Sequence, residues 1–160
     1  MGWVISVDVN MRPSVAPDLQ AYNAAVEEVI DLADWLKASD EDLQTLGYTA
    51  CTQADAPQMA DQLLQRGVKR LALTYGAQGA YLRVGDQSLS APVPSVDVID
   101  TVGAGDTFWG NCVSLWSQMN EAQAQAGLHD TLQHALWAAA LNCTRRGCQP
   151  PRRSEVAALL

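Results

Sequence analysis

The segment Asp100-Thr101-Val102-Gly103-Ala104-Gly105-Asp106-Thr107 puts two glycines and two acids between an expected strand and an expected helix. Small residues let a main chain approach a ligand closely. A helix start leaves N–H groups unpaired, and its dipole favours negative charge. Gly103, Ala104 and Gly105 could thus form an anion hole, with Asp106 at its lip as a carboxylate able to take a proton from an attacking hydroxyl. Transfer of a phosphoryl group needs such a pair: donors for its oxygens and a base for the nucleophile. The same residues also suit a plain turn in which Asp106 only caps a helix. A P-loop would require Gly-Lys-Ser/Thr, which is absent, and a dinucleotide fingerprint would require glycine where Phe108 stands.

The surrounding pattern supplies elements to hold this turn. Val4–Val9 reads as a buried strand, and apolar residues then recur at helical spacing over 18–33. Asp34–Ala38 and Arg70–Thr74 read as further strands. Ser39, with Asp42 three residues on, comes close to a capping box for a short helix ending at Gly47. A helix is expected over 56–66, stopped by Gly67. Gly76 and Gly79 bracket a tight turn before the strand Ala80–Val84, and Gly85-Asp86 reads as a hairpin turn to Gln87–Ser90. Val96–Ile99 is the strand expected before the glycine turn. Phe108, Cys112, Leu115, Trp116 and Met119 mark a long helix, 120–129 a polar connection, and Leu132–Cys143 another helix. A last helix starts near Ser154. Alternating strands and helices imply a single α/β domain with a largely parallel, Rossmann-like sheet in three αβα layers. Ligands bind such sheets where strands end and helices begin.

Composition narrows the partners. The 160 residues carry a formal charge of −8 and are 48% apolar. A packed core is expected, and binding to nucleic acid through a basic surface or to an anionic membrane is not. The apolar runs are too short to span a bilayer, and the start lacks the pattern of a signal peptide. Cys51, Cys112, Cys143 and Cys148 show no redox or zinc spacing and read as reduced, buried thiols of a cytoplasmic protein.

Several segments carry a resemblance. Asp100–Phe108, DTVGAGDTF, is similar to the C-terminal signature of the ribokinase-like, or PfkB, family of sugar kinases. Asp8–Pro13 resembles the D-x-N-x-R-P segment of its fructokinase and 2-keto-3-deoxygluconate kinase branch. Lys37–Leu43 resembles that branch's K-x-S-x-x-E-L, with Asp42 in place of the usual Glu. Thr74–Ala80 resembles its T-x-G-x-x-G-A loop, and Thr144–Pro150 the family's closing T-R-x-G-A-x-P.

The resemblance implies a ribokinase-like fold and ATP-dependent transfer of the γ-phosphoryl group to a hydroxyl of fructose or a related keto-sugar. It implies Asp106 as catalytic base in contact with the sugar, and Gly103, Ala104 and Gly105 as the anion hole. Nucleotide binding falls to Lys37, Ser39, Thr74, Gly76, Gly79 and Gly105, with adenine against Leu136 and Ala139–Ala140. Arg12 would reach the sugar. Asp42 would hold magnesium through water. Asp100 would sit at a monovalent-cation (K+) site with carbonyls of Val102, Asn142, Arg145 and Gly147. ATP, Mg2+ and K+ are the implied cofactors, and a homodimer of the intact protein is among the expected assemblies. Family members are roughly twice this length. The chain therefore reads as a C-terminal nucleotide-binding and catalytic half, without the sugar-binding half and lid, and with an apolar sheet edge uncovered. A non-catalytic nucleotide- or phosphate-binding fragment is the alternative.

Overall fold

The computed structural model describes residues 2–160. Five strands lie side by side in chain order: β1 (Ser6–Asp8), β2 (Trp35–Ser39), β3 (Arg70–Thr74), β4 (Ala80–Val84) and β5 (Gln87–Ala91). β1, β2 and β3 are parallel, with Ser6 opposite Trp35 and Trp35 opposite Arg70. The β3–β4 and β4–β5 pairs are antiparallel, so the hairpin at Gly85-Asp86 makes the sheet mixed. Seven helices cover it: α1 (Leu19–Asp31), α2 (Asp40–Leu46), α3 (Ala56–Gln65), α4 (Ala104–Trp116), α5 (Glu121–Ala126), α6 (Leu128–Cys143) and α7 (Arg153–Ala157).

Strand side chains alternate between faces, and both faces are apolar. Leu36, Ala38, Leu71 and Leu73 enter a core shared with Ile30 of α1, Leu43 of α2 and Leu63 of α3. Trp35, Ala72, Leu82 and Val84 enter a second core with Phe108 and Trp116 of α4 and Leu132 of α6. The result is the three-layer αβα arrangement, with the sheet between two sets of helices.

Some local expectations are corrected. Pairing of the first strand is confined to Ser6–Asp8, and Val4 and Ile5 stay exposed. β1 has a neighbour on one side only among the described residues, so its outer edge and the flanking Trp3, Val4 and Ile5 are uncovered. Residues 96–99 form no strand; the amides of Ile99 and Asp100 instead both donate to the Cys143 carbonyl at the end of α6. The polar stretch 120–129 contains α5. Asn120 and Gln123 form a reciprocal capping box there, and Ala124 is fully buried; the Ala/Gln run hides that one-residue anchor. Cys51 and Cys112 are buried, but Cys143 is half-buried and Cys148 exposed, because the loop after α6 runs over the surface.

The turn from β2 into α2 is fixed by side chain–backbone bonds. Ser39 Oγ accepts from the Asp42 amide, and Asp42 Oδ2 accepts from the Ser39 amide at 2.8 Å. Asp42 Oδ1 accepts from the Met11 amide at 2.7 Å. That second bond is made after a left-handed bend at Asn10 (φ 41°), a conformation asparagine tolerates. One buried carboxylate thus ties the loop after β1 to the start of α2. Asp42→Ala should lower unfolding stability by about 3 kcal/mol, since charge-assisted bonds to two amides are lost. Ser39→Ala should cost about 1 kcal/mol, the usual loss for a cap. Urea midpoints of the two variants check this; equal, small effects would refute the tie.

Candidate active site

The parallel strands end on one side of the sheet, bringing Asp8, Lys37–Ser39 and Thr74 together there. Against these ends lies the first turn of α4. The helix begins at Ala104, earlier than its apolar pattern shows, so Gly105 and Asp106 belong to its first turn. Gly103 precedes it with φ 77°, a left-handed conformation, and a side chain there would also collide with Cys148. The Ala104 amide is used by the Thr101 carbonyl at 3.1 Å. No side chain caps the helix, and the Gly105 and Asp106 amides have no acceptor among the described residues. Gly105 also makes room for a cation: a Cβ there would lie 3.3 Å from Lys37 Nζ.

Lys37 is 5% exposed, and its ammonium donates to Asp8 Oδ1 at 2.8 Å. Burial raises the pKa of Asp8, and its bond to Lys37 opposes the rise. Asp42 and Asp106 add to the rise, as two acids within electrostatic reach of Asp8.

Beside this turn opens a cavity of about 360 Å³. Lys37, Ser39, Thr74 and Gly76 line its polar end, together with Ala104 and Gly105. Leu136, Ala139, Phe108 and Val93 form an apolar wall. Gly76 has positive φ and open space where a side chain would be, whereas a Cβ on Gly79 would run into the backbone at Ala91. The structure therefore gathers Lys37, Ser39, Thr74, Gly76, Gly79, Ala104, Gly105, Leu136 and Ala139 around one cavity. Sequence reasoning missed Val93 and Phe108 on the wall, and Asp40 and Glu41 at the rim. The two acids follow the Ser39 cap directly, which was the available signal.

Gly103 and Ala140 lie outside the cavity lining, and so do four charged residues expected at the site. Asp106 is exposed in the first turn of α4, within electrostatic reach of Asp8. Arg12 is exposed, and its Nη1 donates to the adjacent Met11 carbonyl at 2.8 Å. Asp42 is buried with both oxygens on main-chain amides. Asp100 accepts from the Val102 and Gly147 amides at 3.0 and 2.8 Å, which lowers its pKa. The Val102 carbonyl in turn accepts from the Asn142 side chain at 2.8 Å. No group of three or more His, Cys, Asp or Glu side chains is placed to hold a metal among the described residues. No helix there is long and apolar enough to cross a membrane.

Comparison with known proteins points the same way. A fructokinase of Vibrio alginolyticus is 32% identical over 160 residues, covering 97% of this chain and 50% of that protein. The solved fructokinase double mutant of Vibrio cholerae, with fructose, ADP and potassium bound, is 28% identical and superposes with a TM-score of 0.82 over 98% of this chain and 50% of that one. A candidate ribokinase from Escherichia coli in complex with ATP and Mg2+ is 26% identical, with a TM-score of 0.80 over 97% of this chain and 47% of that one. The chain spans about half the length of each. Residues 4–155 match the model for pfkB family carbohydrate kinases, and the chain belongs to that family.

Proposed function

We propose that this chain is the nucleotide-binding and phosphoryl-transfer half of an ATP-dependent sugar kinase acting on fructose or a related keto-sugar. The observation that carries the proposal is the uncapped first turn of α4, set at the strand ends beside a cavity with a polar end and an apolar wall. The apolar wall suits a flat base, and the polar end suits phosphates. The Gly105 and Asp106 amides, with Gly103 and Ala104 shaping the turn, serve as the anion hole for the migrating γ-phosphoryl group. Fixed dipoles meet its charge without having to reorganise. Asp106, exposed beside that hole, takes the proton of the acceptor hydroxyl as it attacks phosphorus. Lys37 supplies a cation at the same turn, and Ser39, Thr74, Gly76 and Gly79 border the phosphates.

Magnesium fits this donor set only with the nucleotide present. Both Asp42 oxygens accept main-chain hydrogen bonds, so the ion would rest chiefly on phosphate oxygens and water, with Asp40 and Glu41 as the carboxylates that line the cavity. When bound it neutralises phosphate charge. A potassium ion at the Asp100 loop rests on the family resemblance and on the potassium in the V. cholerae structure. Each Asp100 oxygen and the Val102 carbonyl accepts one hydrogen bond there and keeps a lone pair for the ion, beside the carbonyls of Asn142, Arg145 and Gly147.

A second reading has its own support: Arg12 lies away from the cavity and the β1 edge is uncovered, so this chain alone would bind nucleotide without turning it over. Asp106→Asn in the full-length protein should leave ATP affinity within about twofold and cut phosphoryl transfer by about 10²–10⁴, the usual worth of a positioned base. Coupled ADP-release assays with calorimetry check both halves of that statement; retained turnover removes Asp106 from its role. Ala139→Trp should fill the apolar wall, weakening ATP binding by at least about tenfold through lost volume, with little change in melting temperature. Unchanged affinity would move the base elsewhere.

A further inference from the structure

We propose that Asp8 is a positioning residue for the γ-phosphate, because its carboxylate pins the Lys37 ammonium against the first turn of α4. This rests on the phosphoryl-transfer reading above and adds a residue to it. The lysine stem is flexible, and its ammonium is a point charge with no preferred direction of its own. Something must aim it. Lys37 leaves β2 one strand away from β1, directly opposite Asp8 in the parallel register. The 2.8 Å bond across that pair holds Nζ beneath Gly105, close enough that any side chain there would press on it.

The arrangement would be unfavourable without an anion to receive. A buried ammonium is placed beside the positive end of a helix, next to amides that have no acceptor. Asp8 is the resident counter-ion that makes this tolerable in the unliganded protein. It is itself half-buried, with Asp42 and Asp106 as its acidic neighbours, so it has lost solvation to stand there. A carboxylate kept in such surroundings serves the ammonium it holds. Because Lys37 is aimed at the turn that receives the terminal phosphate, removing Asp8 should be felt by ATP and barely by a nucleotide that ends at its α-phosphate.

Calorimetric titration of the 160-residue chain with Mg·ATP, Mg·ADP and AMP tests this on D8N, D8S, D8E and K37M. D8N should reduce the preference for ATP over ADP by about tenfold, the scale of one charged hydrogen bond, with AMP affinity within about twofold. D8E keeps the charge and should recover most of the preference. D8N added to K37M should change nothing further, since the two residues act as one unit. D8S is carried in parallel, and whichever of the two neutral variants keeps the parent melting temperature decides. An unchanged or stronger preference for ATP would mean that Asp8 merely repels phosphate, and would overturn the proposal. So would equal losses for ATP and AMP, which mark a structural role. A parent chain that binds no nucleotide would instead bring down the phosphoryl-transfer reading itself.

Discussion

The start of α4 is held open by its surroundings. A helix N-terminus ordinarily recruits a serine, threonine or acid to satisfy its first amides. Here the position before the helix is Gly103, bent left-handed and packed under Cys148, so no side chain is available to cap. The adjacent cation, Lys37, cannot accept a hydrogen bond. The open amides therefore have no protein acceptor among the described residues and lie beside a cavity, an arrangement that suits an anion with several oxygens. The assignment of phosphoryl chemistry to this chain depends on that constraint.

The rest of the fold keeps the opening in place. α4 is anchored at its far end, where fully buried Trp116 meets Trp35 of β2 edge-on with ring centroids 6.0 Å apart. Arg70 lies 4.7 Å over the Trp35 ring and donates to the Trp116 carbonyl at 2.8 Å, joining the base of β3 to the C-terminus of α4. On the opposite side of the sheet the Asp42 carboxylate locks the loop after β1 onto α2. The strand ends and the far end of α4 are thus clamped by different groups, and Ser39 serves both the Asp42 clamp and the cavity lining.

Much of this was legible in the chain because it is local. The Ser39 box, the glycine bends and the β3–β4–β5 spacing depend on residues within a few positions of one another, and they stand where the pattern puts them. What was not legible depends on partners distant in sequence. Asp42 looks like a solvated acid in a helix's first turn until the Met11 amide arrives from 31 residues away. The segment before Asp100 has strand-like composition, yet its amides find the Cys143 carbonyl and no neighbouring strand. α5 hangs on one buried alanine and a cap. Even the start of α4 is set by the Gly103 carbonyl accepting from Thr107, whereas the apolar stripe begins only at Phe108.

The same division explains why the donor side of the reaction is better defined than the acceptor side. Most of what would meet a nucleotide is built from β2, β3, α4 and α6 and the turn after β3, all within this chain. The residues expected to meet a sugar, Arg12 and Asp106, both stand exposed. Arg12 follows β1, whose outer side has no neighbour among the described residues, and Asp106 lies within electrostatic reach of Asp8 at the end of that strand. Exposed carboxylate and guanidinium groups are well solvated, and water weakens what each can hold. A wall against that edge would exclude water from Asp106, strengthen its interaction with the open amides and fix an acceptor hydroxyl between them. On the proposed reading the chemistry is directional: an anion would be oriented by the start of α4, and its acceptor would approach from the side of Asp106 and Arg12.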